Sequence, residues 1–162
     1  FSIKNVTVVC DRGMASKSNV DALRESKFHF VVATKLRAMS QTLRINDLSA
    51  YQVLPGNESA TEEDRVLFRV MDHPQYADTK LIVTYSASRA KKDKSDRERL
   101  LEKLRHKISD VPNESSIKKV ISNSGYKKYT SVKEGSLVTL DEEAIEEEAT
   151  WDGFHGLAVS YS

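Results

Sequence analysis

Two short apolar runs rich in β-branched residues flank a helical segment at the start of this sequence, and few folds accommodate that order. Ile3 to Cys10 is apolar, carries Val6, Val8 and Val9, and stops at Asp11-Arg12-Gly13. A run of this kind, bounded by turn formers, predicts a buried strand followed by a turn. Ser18 then precedes Asn19-Val20-Asp21-Ala22-Leu23-Arg24, with Val20 and Leu23 three apart on one helical face. Ser18 is the expected N-cap, and Asp21 puts an acid in the first turn, near the positive end of the helix dipole. Phe28 to Ala33 predicts the second strand. Strand, helix and strand within about 32 residues make a βαβ unit, which calls for parallel strands and a right-handed crossover.

The chain has 162 residues, about the size of one domain, with 25 Lys+Arg against 24 Asp+Glu. A net charge of +1 marks neither an acidic tail nor a uniformly basic binder, and 39% hydrophobic residues suit a soluble globular domain with a modest core. No window approaches the roughly 18 apolar residues of a membrane span, and neither a signal segment nor a lipidation motif is present, so no membrane contact is expected. Cys10 is the single cysteine. It excludes an internal disulfide and a multi-cysteine zinc site, and it fits a cytoplasmic location. The sequence opens on Phe1 and closes on Leu157-Ala158-Val159-Ser160-Tyr161-Ser162, which reads as a strand, so a fragment of a longer protein is expected.

Further elements follow from period and punctuation. A short helix is expected over Ser40 to Leu48, a turn at Pro55-Gly56-Asn57, and a polar loop to Asp64. Val66 to Met71 and Leu81 to Tyr85 read as strands of an antiparallel hairpin with a long loop around His73-Pro74. Ser95-Asp96-Arg97-Glu98 has the form of a capping box. After it, Leu100, Leu101, Leu104 and Ile108 form a helical stripe ending ahead of Pro112. A short helix at Ile117 to Ile121 ending near Gly125, a strand at Leu137 to Leu140, a helix at Asp141 to Glu148 and a strand at Phe154 to Tyr161 complete the expectation. The fold class is α/β with a mixed sheet.

Asp11 stands at the carboxyl end of the first strand, the edge at which open α/β sheets bind ligands. A carboxylate there serves either as a ligand to a hard cation or as the cap of a turn, and position alone leans toward the cap. Cys10 reads as a small buried hydrophobe, because alternation sends it to the face opposite Asp11. His29, His73, His106 and His155 show no paired metal-ligand spacing, although His155 could approach a site from the last strand. Arg89 to Lys107 carries nine bases against four acids, a pattern that suits either phosphate neutralisation or a solvated face laced with ion pairs such as Lys94 with Glu98. The six acids of Asp141 to Glu148 would repel DNA.

Val8-Val9-Cys10-Asp11-Arg12-Gly13-Met14, with Ser18-Asn19 and the helix to Glu25, resembles the block that carries the second catalytic aspartate in DDE transposases of bacterial insertion sequences. The resemblance continues through Thr84-Tyr85-Ser86 with Arg89-Ala90-Lys91-Lys92-Asp93, through Asp96-Arg97-Glu98-Arg99, and through Gly125-Tyr126-Lys127-Lys128-Tyr129. It closes on Trp151-Asp152-Gly153-Phe154-His155-Gly156, similar to the family's D-G-x-x-G motif, and so spans nearly the whole chain in order. It implies a partial ribonuclease-H-like core at 1–35, an inserted α+β region at 36–150 and a returning core strand at 151–162. It implies a part in DNA transposition and recombination, with Asp11 as catalytic residue and metal ligand. The cofactor is Mg2+ or Mn2+, expected only with the complete set of two aspartates and a glutamate. DNA is the expected partner, with a homodimer in the full-length protein, and Arg89, Lys91, Lys92, Lys94 and Arg97 are the expected DNA contacts.

The sequence departs from the family at the glutamate motif Y-x2-R-x3-E-x6-K: Tyr85 is nearest, but Arg89 lies four residues on rather than three. No strand for the first aspartate precedes Asp11. Ser160-Tyr161 stands where relatives often have Thr-Asn. The first aspartate and the glutamate are therefore expected outside this chain, which alone should not cut DNA. A non-catalytic DNA-binding or dimerisation module is the alternative. A third class is a small metal-dependent hydrolase using Asp11, Asp152 and His155.

Overall fold

The computed structural model describes residues 6–39, 43–109, 122, 124–133 and 137–160. In chain order its strands and α-helices are β1 (Thr7–Cys10), α1 (Lys17–Glu25), β2 (His29–Thr34), β3 (Gln52–Val53), β4 (Val66–His73), β5 (Tyr76–Ser86) and α2 (Ala87–Ser109). They continue as α3 (Ser124–Lys127), β6 (Thr130–Lys133), β7 (Leu137–Leu140), α4 (Glu142–Ala149) and β8 (Phe154–Ser160). The chain divides into two compact units, Phe1–Arg89 with Gly153–Ser162, and Ala90–Asp152. The stretch 36–150 expected as an insertion therefore divides: residues 36–89 supply β3, β4 and β5 to the same sheet as β1 and β2, and the remainder belongs to the second unit.

The first unit is a six-stranded mixed sheet in the order β1-β2-β8-β5-β4-β3. β1 and β2 are parallel, and the other four pairings are antiparallel. The βαβ unit stands as the residue pattern requires. α1 buries Val20 against Phe30, Val32 and Ala158, with Val8, Cys10, Ala15, Leu23 and Tyr76 packed around them. Register explains this layer, because Cys10 opposes Val32, Val32 opposes Ala158 and Ala158 opposes Leu81, all on one face of the pleat. Phe30, Val32, Leu81 and Val83 are at most 1% exposed, and each such side chain contributes roughly 1.5–3 kcal/mol by leaving water. On the other face Val9 opposes Val31 and Val31 opposes Val159, and Val9 is 75% exposed.

Several boundaries differ from expectation. Ser16, not Ser18, caps α1, its hydroxyl accepting from Asn19 N–H at 3.2 Å. No α-helix forms among the described residues of 40–48; short 3-10 turns stand at Leu36–Met39 and Leu48–Ala50, while Leu36, Met39 and Ile45 are buried. The β4–β5 hairpin has a tight turn rather than a long loop, with His73 opposing Tyr76 and a bulge at Asp72/His73. The strands extend through polar residues because these face solvent in register, Lys80 opposing and pairing with Asp72. Ser95 lies inside α2, where its hydroxyl accepts from Arg99 at 3.1 Å; β5 runs directly into the helix, and Ser86 accepts from Arg89 N–H. Gly125 lies within α3 rather than after a helix. Residues 3–5, 117–121 and Tyr161 lie outside the described residues.

In the second unit the expected stripe of α2 is internal. Leu101, Leu104 and Tyr129 form its core with Leu100, Ile108, Tyr126, Leu140 and Ile145. α4 is capped by Asp141, whose carboxylate accepts from Ala144 N–H at 3.0 Å, and its Glu142 and Glu143 occupy the first turn, where acids are favoured. Among the described residues no helix is long and apolar enough to cross a membrane.

Gly156 lies directly beneath Leu36: a Cβ built there would stand 2.5 Å from the leucine Cδ2. Gly156→Ala is therefore expected to lower the unfolding free energy by about 1–3 kcal/mol through overpacking, read as a fall in the urea midpoint. A second expectation concerns acid. His73 is buried, its Nδ1 accepting from Gln75 N–H at 3.2 Å, and its ring lies 4.9 Å from that of Tyr76, over which the Arg24 guanidinium sits. Burial first, and the charge of Arg24 second, hold its pKa below the ordinary 6.5. The unfolded chain then binds the proton more readily, so this contribution to stability is complete above pH 6.5 and is lost as pH falls. Urea midpoints at about pH 7.5 and about pH 5.5 should show the decline, and His73→Phe should shrink it; His155, displaced in the same direction, supplies a remainder.

Candidate functional site at the carboxyl edge of the parallel strands

At the end of β1 the backbone of Asp11 stays extended (φ −76°, ψ 174°), and the chain then turns through a 3-10 turn at Arg12–Met14. The Asp11 Oδ1 accepts from Gly13 N–H at 2.8 Å and from Met14 N–H at 3.3 Å. A Cβ on Gly13 would lie 3.1 Å from that oxygen, so glycine is what lets the carboxylate sit over the turn. Asn19 secures the next step, its side-chain amide donating to Met14 O at 2.9 Å. Asp11 thus performs the turn-capping role. Its carboxylate is exposed, and Oδ2 has no hydrogen-bond partner among the described residues.

The ladders bring further groups to the same end of the sheet. Cys10 closes β1 beside Val32, Thr34 near the end of β2 opposes Gly156, and His155 opposes Thr84. His155 follows Val159 in alternation, which puts it on the face that carries Val9. Its pKa is lowered, mainly by burial and then by the charges of Arg89 and Arg12. Arg12 in the turn, Arg89 in the first turn of α2 and His155 on β8 therefore share one neighbourhood. Cys10 packs on the α1 side, against the Val20 cluster, as a small hydrophobe.

A divalent ion needs several oxygen donors. Asp11 fits as one of them through Oδ2, but among the described residues no three His, Cys, Asp or Glu side chains form a group able to hold a metal ion. Asp152 does not serve: both of its oxygens accept from Arg97, at 2.5 and 2.7 Å, in a bidentate pair that is largely buried. That pairing removes the ligand set of Asp11, Asp152 and His155. It also withdraws Arg97 from the expected DNA contacts, since its side chain is only 9% exposed.

Lys92 and Lys94 are exposed and pair with Asp96 at 2.7 Å and Glu98 at 3.9 Å, and Arg89 and Lys91 are exposed as well. Lys103, Arg105 and Lys107, counted in the basic segment but not singled out, are exposed and have no carboxylate partner among the described residues. The expected helix after Ser95 already placed them off its Leu100–Ile108 stripe, and that is the signal that could have found them.

No family model, curated protein or solved structure matches the chain. The cap itself gives an expected outcome. Asp11→Ala should cost about 1 kcal/mol, whereas Asp11→Asn, whose amide oxygen still accepts from the turn, should leave the urea midpoint nearly unchanged.

Proposed function

We propose that the chain is a fragment of a DDE transposase of the insertion-sequence type, which performs metal-dependent phosphodiester cleavage and strand transfer. Asp11 is the second of its three catalytic carboxylates. The observation that carries this reading is an exposed aspartate at the carboxyl end of a strand in a parallel βαβ unit, with one oxygen held by the turn and the other without a hydrogen-bond partner among the described residues. In support, the sheet is mixed, with the parallel pair at one edge, as a partial ribonuclease-H-like core requires. When bound with its full ligand set, the Mg2+ or Mn2+ pair would activate the attacking oxygen and stabilise the leaving one. Asp11 orients one donor oxygen, and exposed bases of α2 neutralise phosphates without reading sequence. One carboxylate cannot neutralise two divalent cations, so this chain by itself is inactive.

A non-catalytic DNA-binding or dimerisation module shares the exposed bases. Asp11→Asn in the full-length protein separates the two. It retains the turn cap, so the expected result is loss of strand cleavage with duplex affinity within about twofold. Retained cleavage removes Asp11 from the catalytic centre and leaves the module.

A further inference from the structure

The basic segment of α2 is sorted by helical geometry in a way its sequence does not display. At roughly 100° per residue, Lys92, Arg99, Lys103 and Lys107 fall within a sector of about 80°. They extend over roughly 22 Å of helix at about 1.5 Å per residue. Asp96 is the one acid in that sector, holding Lys92 at 2.7 Å and Arg99 at 3.9 Å. Four bases against one acid leave the row strongly positive. Lys91, Lys94 and Arg105 lie in a different sector, interleaved with Glu98 and Glu102, and there Lys94 pairs with Glu98. The two rows therefore differ in net charge although their residues alternate along the chain.

We propose that the row Lys92–Arg99–Lys103–Lys107 is the surface on which α2 tracks the phosphates of duplex DNA. This rests on the DNA-processing reading above and specifies where the duplex lies on this helix. Charge complementarity selects the partner. A row of exposed bases along one helix suits a polyanion of continuous charge, and a duplex carries one negative charge per roughly 1.7 Å, on the order of a dozen along the row. An acidic protein would be anchored by an apolar centre. The row has none, because within its sector between Lys92 and Lys107 the only residue besides the bases is Asp96, and none of the exposed large hydrophobic residues belongs to α2. Lys107 stands over the Tyr126 ring at 5.0 Å, which steadies the last base of the row. The hydrophobic stripe of α2 faces inward, with Ile145 of acidic α4 packed on the core that stripe builds.

The test uses the 162-residue chain and a random-sequence duplex, with affinity measured against salt concentration. Each phosphate contact contributes about −0.9 to the log–log slope. Lys103→Gln and Lys107→Gln should each make the slope shallower by nearly one, and the double variant by about two. Arg105→Gln removes the same charge between them on the other side of the helix and should leave the slope unchanged. Far-UV circular dichroism checks that α2 persists, as glutamine is a good helix former. Equal effects of all three substitutions would overturn the row in favour of diffuse attraction. A flat salt response in the parent chain would overturn it outright. Tighter binding of a poly-glutamate peptide than of the duplex, lost in the double variant, would reassign the row to an acidic protein. Cleavage by full-length Asp11→Asn would sink the transposase reading without touching these slopes.

Discussion

The parallel pairing of β1 with β2 under α1 is the arrangement from which the first unit follows. Parallel strands need a crossover, and the crossover helix needs an apolar seat. Phe30, Val32 and Ala158 supply that seat, meeting Val20 from above. Once Thr7 opposes His29 and Cys10 opposes Val32, the end of β1 can lie nowhere but at the carboxyl edge of the pair. Asp11 arrives there as a consequence of register. A one-residue slip would send the core set to the opposite face, which burial of Phe30 and Val32 forbids.

The same register limits what the site can be made of. β8 returns antiparallel beside β2, so that Gly156 passes under Leu36 and His155 emerges at the edge that holds Asp11. Gly153, with φ of 82°, takes the left-handed turn that leads into this strand. The carboxylate next to it in sequence, Asp152, is held in the second unit by Arg97. Removing either partner would leave a largely buried charge unpaired, a far larger penalty than breaking any exposed pair along α2. Among the described residues charge is therefore placed in two settings: a largely buried fork that is structural, and exposed bases and ion pairs along α2.

Much of the fold could be read from the residues. The two β-branched runs, the Val20/Leu23 face and the Leu100–Ile108 stripe are periodic signals strong enough to define elements without tertiary context. In the β4–β5 hairpin the misreading came from using polarity as a boundary. Asp72, Asp78 and Lys80 read as loop but lie in strands, since an antiparallel ladder tolerates polar residues on its solvent face. Ser95 read as a cap because Glu98, three residues on, completes the form of a capping box ahead of the apolar stripe. Yet nothing in the preceding lysine-rich run breaks a helix, and β5 feeds straight into it. The exchange of Ser16 for Ser18 is the ordinary ambiguity of neighbouring hydroxyls, decided by which one can reach Asn19 N–H.

What the sequence determined by itself was local: the parallel βαβ unit, the exposed aspartate in its turn, the acid-capped α4, and an amphipathic helix crowded with bases. These depend on spacing, capping and propensity over a few residues, and spacing is written in the chain. Tertiary structure alone decided which polar groups are already engaged. Arg97 and Asp152 are far apart in sequence and look as available as their neighbours, but folding closes them into a fork. It also decided that Lys92 joins the face of Arg99, Lys103 and Lys107, since α2 begins at Ala87 and not at Ser95. Long-range pairing and burial are properties of the assembled fold, and no local window contains them.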